Sequence, residues 1–231
     1  MKSAGGSDDA KRRAGEAAAE TVESGMTVGL GTGSTAAYAI RALGEAVDDG
    51  LDIVGVPTSF GARELAIECG IPLAGLDEID GIDVAIDGAD QIVLDTGDCI
   101  KGGGAAHSRE KLVASAADAL HLVVDPTKTT ETLNHTVAVE MLPDAHPVVS
   151  ERIESLGGEV TLRRAANKDG PVVTDNGNLV SDADFGAIDD PESLATDLSR
   201  LPGVVDHGLF VGYATVVSVG SEDGVSTTTY E

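Results

Sequence analysis

The sequence predicts an α/β protein, a parallel-sheet domain joined to a second, smaller α+β domain. Short apolar runs alternate with helix-forming stretches as far as Val124, which is how a parallel sheet covered by helices reads. Beyond about Asn134 the pattern becomes alternating and proline-punctuated, with an Asn-Gly turn. Composition agrees: 42% hydrophobic residues but only 3% aromatic, no Trp and 29 Gly. The core must therefore be mostly Ala, Val, Leu and Ile, which suits close helix-on-sheet packing. A chain of 231 residues is long enough for one such domain and a smaller companion.

The elements follow in order. Asp8–Ser24 is rich in Ala, Glu and Arg and reads as a helix ended by Gly25. Thr27–Leu30 is a short strand, followed by Gly31-Thr32-Gly33-Ser34-Thr35 and a helix over Ala36–Ala46, with Ser34 or Thr35 as its cap. Ile53–Val56 is a strand, Ala62–Cys69 a helix stopped by Gly70, and Val84–Ile86 a strand ending at Asp87. Ile92–Leu94 precedes the turn Asp95-Thr96-Gly97-Asp98; Lys111–Leu120 reads as a helix and Leu122–Val124 as a strand. In the second part, Thr136–Met141 alternates, Val149–Leu156 reads as a helix, and Glu159–Arg163 and Val172–Thr174 as strands. The second of these leads into Asp175-Asn176-Gly177, a hairpin signal. Pro191–Arg200 is a further helix, and Val204–Tyr213 and Thr215–Val219 are β-rich. The expected division is 1–133 plus 207–231 for the larger domain and 134–206 for the smaller.

The formal net charge is −25, with 40 acids against 15 Lys and Arg spread along the chain. An acidic tail would be a block of like charge; dispersed acid is a solvated surface, a composition that halophiles use. Such a surface excludes nucleic acid as a partner, because phosphate neutralisation needs clustered Lys and Arg. Two cysteines, Cys69 and Cys99, make no disulfide framework and show no zinc spacing. Met1–Arg13 has no apolar core of a signal peptide, and no apolar run approaches the length of a membrane span. The expectation is a reduced, soluble, cytoplasmic protein.

Two motifs carry chemistry. Gly29-Leu30-Gly31-Thr32-Gly33-Ser34-Thr35 follows a strand and opens a helix, where backbone N–H groups and hydroxyls bind anions. A dinucleotide fingerprint needs a third Gly where Ser34 stands, and a nucleotide P-loop needs a Lys that is absent. The loop suits a terminal phosphate monoester; the plainer reading is a tight strand-to-helix turn. Residues 87–110 supply the second motif: Asp87-Gly88-Ala89-Asp90, Lys101-Gly102-Gly103-Gly104 and Ser108-Arg109-Glu110. Asp87 ends a strand, where open α/β sheets bind ligands; Asp-Gly is also ordinary turn chemistry. Lys101 sits against glycines, and Glu110, with Ser108 as cap, starts a helix whose field favours its ionised form. Singly these residues have surface or capping explanations; together they point to proton transfer on a small anionic substrate.

In these strings the chain resembles the type A family of ribose-5-phosphate isomerases. Arg109-Glu110-Lys111, Asp125–Lys128, Val173–Asn178 and Pro202-Gly203-Val204-Val205 also match, so the resemblance spans nearly the whole chain. The expected fold is a Rossmann-like parallel-sheet domain with a smaller, ferredoxin-like α+β domain. The resemblance implies interconversion of D-ribose 5-phosphate and D-ribulose 5-phosphate through an enediolate, with no metal or organic cofactor, in a homodimer or homotetramer. It puts Glu110 at the general base, Asp87 at ring opening and Lys101 at the developing oxyanion. Asp90 falls on a substrate hydroxyl contact; Thr32, Gly33, Ser34, Thr35 and Gly102–Gly104 fall on the substrate and phosphate loops. Lys128 matches a phosphate-side lysine, and Lys11 a further one. Two departures stand out: Gln91, where relatives often have an acid, and a link from Asp90 to Lys101 that is one residue longer than in some relatives. A sugar-phosphate sensor would not need Glu110 and Lys101, and the Lys101 glycine run argues against an amino-sugar phosphate deaminase or CoA transferase. His107, His121, His135, His146 and His207 show no metal-ligand spacing.

Overall fold

Six helices and fourteen strands order the chain in the computed structural model, which describes residues 7–230. Residues 1–6 and 231, at the ends of the larger expected domain, lie outside the described residues. The helices are α1 (Asp8–Ala19), α2 (Ser34–Asp48), α3 (Phe60–Glu68), α4 (His107–Ala116), α5 (His146–Ser155) and α6 (Pro191–Ser199). The strands as far as the middle of the chain are β1 (Thr27–Leu30), β2 (Val54–Pro57), β3 (Ile82–Asp87), β4 (Gln91–Val93), β5 (Cys99–Ile100), β6 (Ala117–Val124) and β7 (Thr129–Thr130). They continue with β8 (Val137–Met141), β9 (Glu159–Leu162), β10 (Leu179–Asp184), β11 (Val204–His207), β12 (Leu209–Phe210), β13 (Val216–Ser221) and β14 (Gly224–Thr229).

The main sheet has the order β14-β13-β6-β3-β1-β2; all its neighbours are parallel except the β13–β14 hairpin. Alternate residues of a strand face opposite sides, and both sides are covered. Ile86 and Val123 join Leu43, Ala62 and Ala14 from α2, α3 and α1. Ala85, Leu122 and Val124 join Val113 and Ala114 of α4. Small residues set the spacing: Gly15 of α1 sits directly against Thr35 and Ala39 of α2.

A second sheet, β11-β8-β10-β9, is antiparallel throughout. With α5 after β8 and α6 after β10 it is the β-α-β-β-α-β ferredoxin-like arrangement. Val137, Val139 and Met141 face Val149, Ile153 and Leu198 of the two helices. A third sheet, β12-β5-β4-β7, was not foreseen in the sequence; it leads the chain from Asp90 to Lys101.

Several boundaries differ from the sequence reading. α1 ends at Ala19, with Glu20 as cap, and the β-branched pair Thr21-Val22 follows. The helix expected over Lys111–Leu120 stops at Ala116, because Ala117, Ala119 and Leu120 pair with Ile82, Val84 and Ala85 of β3; sheet pairing overrides alanine's helix preference. Val172–Thr174 makes only an isolated bridge, Val173 to Leu179, and the true strand, β10, follows the Asn-Gly turn. Gly177 closes that turn at φ +84°, with Thr174 N–H donating to Asn178 O at 2.9 Å. β14 carried no sequence signal strong enough to be expected.

Candidate active site

In a doubly wound sheet, ligands bind beyond the carboxyl ends of the strands where the winding direction reverses. Here that point lies between β1 and β3: the chain leaves β1 toward β2 on one side and returns as β3 on the other. The cleft at this point is lined by Thr32–Thr35, Gly88–Asp90, Lys101–Gly104, Glu110 and Lys128. The phosphate-type loop follows β1. α2 begins at Ser34 with Gly33 as its cap and no side-chain cap, so neither Ser34 nor Thr35 is the cap residue, and the first-turn N–H groups face the cleft mouth uncapped. Thr32 Oγ1 donates to Ser59 Oγ at 2.7 Å and lies 2.9 Å from Thr58 Oγ1, fixing the loop to the end of β2.

Asp87 lies at the floor. Its Oδ1 accepts from Thr32 N–H at 3.0 Å and Gly88 N–H at 2.7 Å. Gly31 permits this approach: a Cβ there would fall onto the Asp87 carboxylate and within 2.5 Å of Ile86 O. Lys101 Nζ lies 3.0 Å from Asp87 Oδ2 and 3.2 Å from Glu110 Oε2, with all three side chains no more than 4% exposed. The same ammonium donates to Gly88 O and lies 5.5 Å from the Phe210 ring centre. Glu110 Oε2 is buried and meets the Lys101 ammonium as an ion pair. Gly102 holds φ +105° against Ala138, whose Cβ a side chain at 102 would meet at 2.7 Å. Asp90 Oδ2 accepts from Gly103 N–H at 2.7 Å, tying the two loops together. Ala105 closes the glycine loop at φ +59°, rare for a residue with a Cβ.

Two buried carboxylates share one ammonium. Burial pushes Glu110 up to about 8, the Asp87 charge adds to the rise, and Lys101 opposes it. Burial also raises Asp87, against the pull of Lys101. Burial alone would lower Lys101, but Asp87 and Glu110 outweigh it and hold the amine protonated. The cluster therefore has a fixed cation beside a carboxylate that exchanges its proton near neutral pH, the pairing that acid–base chemistry at a carbon next to a carbonyl requires.

Of the residues given catalytic or substrate-binding roles in the sequence, all but Asp87 and Lys11 line this one cleft. Asp87 lies beneath it, in contact through Lys101. Lys11 does not line it: it is buried on α1, one turn before Gly15, on the face that meets α2. Ser108 does not cap α4, whose cap is Ala106; its hydroxyl donates to Glu140 instead. Gln91 binds the chain entering the small domain, accepting from Asn134 N–H at 2.7 Å and His135 N–H at 2.9 Å and donating to Asn134 Oδ1 at 2.6 Å. The longer Asp90–Lys101 link is the β4–β5 hairpin, whose tip at Asp95–Asp98 points away from Asp90 while Asp90 N–H still donates to Ile100 O at 2.8 Å. Among the described residues no three of His, Cys, Asp and Glu are grouped to hold a metal ion, and no helix is long and apolar enough to cross a membrane.

A phosphate-type loop facing a buried lysine between two carboxylates, at the switch point of a parallel sheet, suits an enzyme that moves protons on a small phosphorylated substrate. The family profile described as ribose 5-phosphate isomerase A (phosphoriboisomerase A) matches residues 54–224, and the chain belongs to that family. It is 62% identical over 225 residues to the ribose-5-phosphate isomerase A of Haloarcula marismortui, covering 97% of each chain. It is 62% identical over 235 residues to that of Halorubrum lacusprofundi, covering 97% of this chain and 98% of the relative. A solved D-ribose-5-phosphate isomerase in complex with phospho-erythronic acid superposes with a TM-score of 0.94 at 41% identity, covering 98% of this chain and 100% of that one. The Methanocaldococcus jannaschii enzyme gives 0.93 at 41% identity, covering 96% and 99%. The family's reaction interconverts ribose 5-phosphate and ribulose 5-phosphate in the pentose phosphate pathway.

Proposed function

We propose that Glu110 is the base that moves the carbon-bound proton, that Lys101 stabilises the enediolate oxygen, and that Asp87 assists opening of the sugar ring. The observation that carries this reading is the placing of Lys101 Nζ 3.0 Å from Asp87 and 3.2 Å from Glu110 at the floor of the cleft. Asp87, ionised beside Lys101, takes the proton of the C1 hydroxyl and delivers it to the ring oxygen as the C1–ring oxygen bond breaks, and the open aldehyde results. Glu110 then removes the proton from C2; the electrons move into a C1–C2 double bond and the negative charge onto O1, beside the Lys101 ammonium. The C2 hydroxyl loses its proton, O1 gains one, and Glu110 returns its proton to C1, leaving the ketose. A positioned base contributes roughly 10²–10⁴ in rate. Thr32–Thr35, with Lys128 across the cleft, suit the phosphate; their binding energy orients C1 and C2 toward Glu110. Asp90 and the Gly102–Gly104 backbone suit the sugar hydroxyls. Lys11, on α1 next to the start of α2, is a residue of the phosphate side in this reading.

Phospho-erythronic acid, the ligand of the 41% identical structure, supports it chemically. A phosphate ester with a planar carboxylate presents one negative charge on a planar, oxygen-bearing end, as the enediolate does. A homodimer or homotetramer in the cytoplasm accords with the family, and sedimentation in molar salt reads the assembly. The deciding experiment is isomerisation of ribose 5-phosphate by wild type and Glu110→Gln in molar salt, with the fold followed by circular dichroism. The expected result is an active wild type and a variant whose kcat falls by about 10²–10⁴ with KM little changed. A folded but inactive wild type, or full kcat in the variant, overturns the reading.

A further inference from the structure

The small sheet has two unlike faces. One is apolar and covered by α5 and α6 through Val137, Val139, Met141 and Ala183. The other carries Ala138, Glu140 and Asp182: Glu140 lies opposite Val180, and Asp182 opposite both Ala138 and Thr161. Residues directly opposite one another share a face, and Arg163, whose N–H donates to Val180 O at 2.9 Å, extends that face beyond β9. No helix covers it. It lies instead against the two segments that carry the reacting groups.

Arg163 Nη1 donates to Gly102 O at 2.7 Å, next to Lys101 in the chain. The guanidinium is itself held by Asp182, through Nε to Oδ2 at 3.0 Å and Nη2 to Oδ1. Glu140, fully buried, accepts from Ser108 Oγ in the first turn of α4, two residues before Glu110. It also accepts from Thr174 Oγ1 at 2.8 Å, Asn176 Nδ2 at 3.1 Å and Asn178 Nδ2 at 2.8 Å. A buried carboxylate is costly unless its lone pairs are filled, and here they are. Ala138 packs against Gly102, completing the contact.

We propose that this second sheet face sets the separation of Lys101 from Glu110, with Arg163 and Glu140 as positioning residues: one fixes the glycine loop, the other the start of α4. The glycine loop has little side-chain packing of its own, and α4 has no side-chain cap. Both therefore depend on polar contacts made from the small domain. The small domain then serves the chemistry of a site to which it contributes no lining residue. This inference rests on the roles proposed above for Lys101 and Glu110.

Steady-state kinetics on ribose 5-phosphate test it, using Arg163→Met, Arg163→Lys and Glu140→Gln, with Val149→Ala in α5, which packs on the opposite face, as a control. A displacement of about 1 Å at reacting groups costs on the order of 10²-fold in rate. We expect Arg163→Met and Glu140→Gln to lower kcat by about 10–10²-fold while KM stays within about twofold, because the loop at Thr32–Thr35 is untouched. A lysine reaches Asp182 or Gly102 O but not both, so Arg163→Lys recovers part of the lost kcat. Val149→Ala lowers Tm and leaves kcat unchanged. If Arg163→Met does not fold, Asp182→Asn, which frees the guanidinium, takes its place with the same expected split. Wild-type kcat in the folded Arg163 or Asp182 variants and in Glu140→Gln overturns the inference and leaves the catalytic reading standing. An inactive wild type overturns both.

Discussion

Glu110 Oε2 lies 3.2 Å from the Lys101 ammonium, which also contacts Asp87 at 3.0 Å. One cation thus serves two buried carboxylates, and the second carboxylate makes the first more basic. Glu110 is pushed up to about 8 by burial first and by Asp87 next.

The first prediction concerns the pH dependence of kcat/KM, which reports the free enzyme. Glu110 must be ionised to act as a base, so kcat/KM rises with pH through about 8 and levels above it. Asp87→Asn removes the competing charge and leaves Lys101 wholly to Glu110. The rate falls, and the limb moves to lower pH. A pH–rate profile of the two proteins reads this; a limb that stays in place or moves up in the variant contradicts the coupling.

A second prediction concerns stability. The folded protein holds Glu110 above its ordinary value of 4.5. Its contribution to stability is therefore fully present below the unfolded value and is lost as pH rises through the folded value. Glu110→Gln imitates the protonated side chain and leaves Lys101 and Asp87 as a neutral pair. The variant and wild type should melt together near pH 4 and diverge as pH rises, the variant being more stable above pH 8 by on the order of a few kcal/mol. Thermal melts across that range check it, and a variant less stable at pH 8 refutes it.

Much of this was legible in the sequence because each feature is local. β1, the loop at Gly31–Thr35, Asp87 at the end of β3 and the glycines after Lys101 all announce themselves within a few residues. What escaped depends on distant partners. Ala117–Leu120 is strand only because β3 lies beside it. Ser108 reads as a cap until Glu140, thirty-two residues away, claims its hydroxyl. Glu140 sits in the alternating run Val137–Met141 and carries no local mark of being a buried hub. Gln91 reads as a departure from a motif, yet its amide both donates and accepts at the chain entering the small domain, which a carboxylate could not do. Arg163 only ends a run that reads as a strand, and the fold alone brings it to Gly102.

The third prediction tests the close approach at Gly31. A methyl group there would fall onto Asp87, and the backbone of Ile86 leaves the carboxylate no retreat on that side. Gly31→Ala should lower stability by about 1–3 kcal/mol through overpacking and lower kcat at least tenfold by displacing Asp87 from Lys101. Calorimetry and kinetics in the same buffer decide it. A variant with wild-type Tm and kcat would mean that the loop moves freely enough to make room.

The last prediction concerns salt. The chain carries a net charge of −25 and must admit a phosphate ester to a cleft where Lys101 and Lys128 face Asp90, Glu110 and the underlying Asp87. At 0.1 M ionic strength the Debye length is about 10 Å, so surface acids repel the approaching anion; at 1 M it is about 3 Å and that repulsion is largely gone. In an enzyme with a basic surface, salt would compete with the phosphate and raise KM. Here the sign is opposite: KM for ribose 5-phosphate should fall as salt rises from 0.1 to 1 M. Screening also relieves self-repulsion of the folded state, so Tm should rise over the same range. The two effects separate if KM is measured only where circular dichroism shows the full fold. A KM independent of salt under that condition refutes the screening argument, and a KM that rises would mean that the basic groups of the cleft dominate the field felt by the substrate.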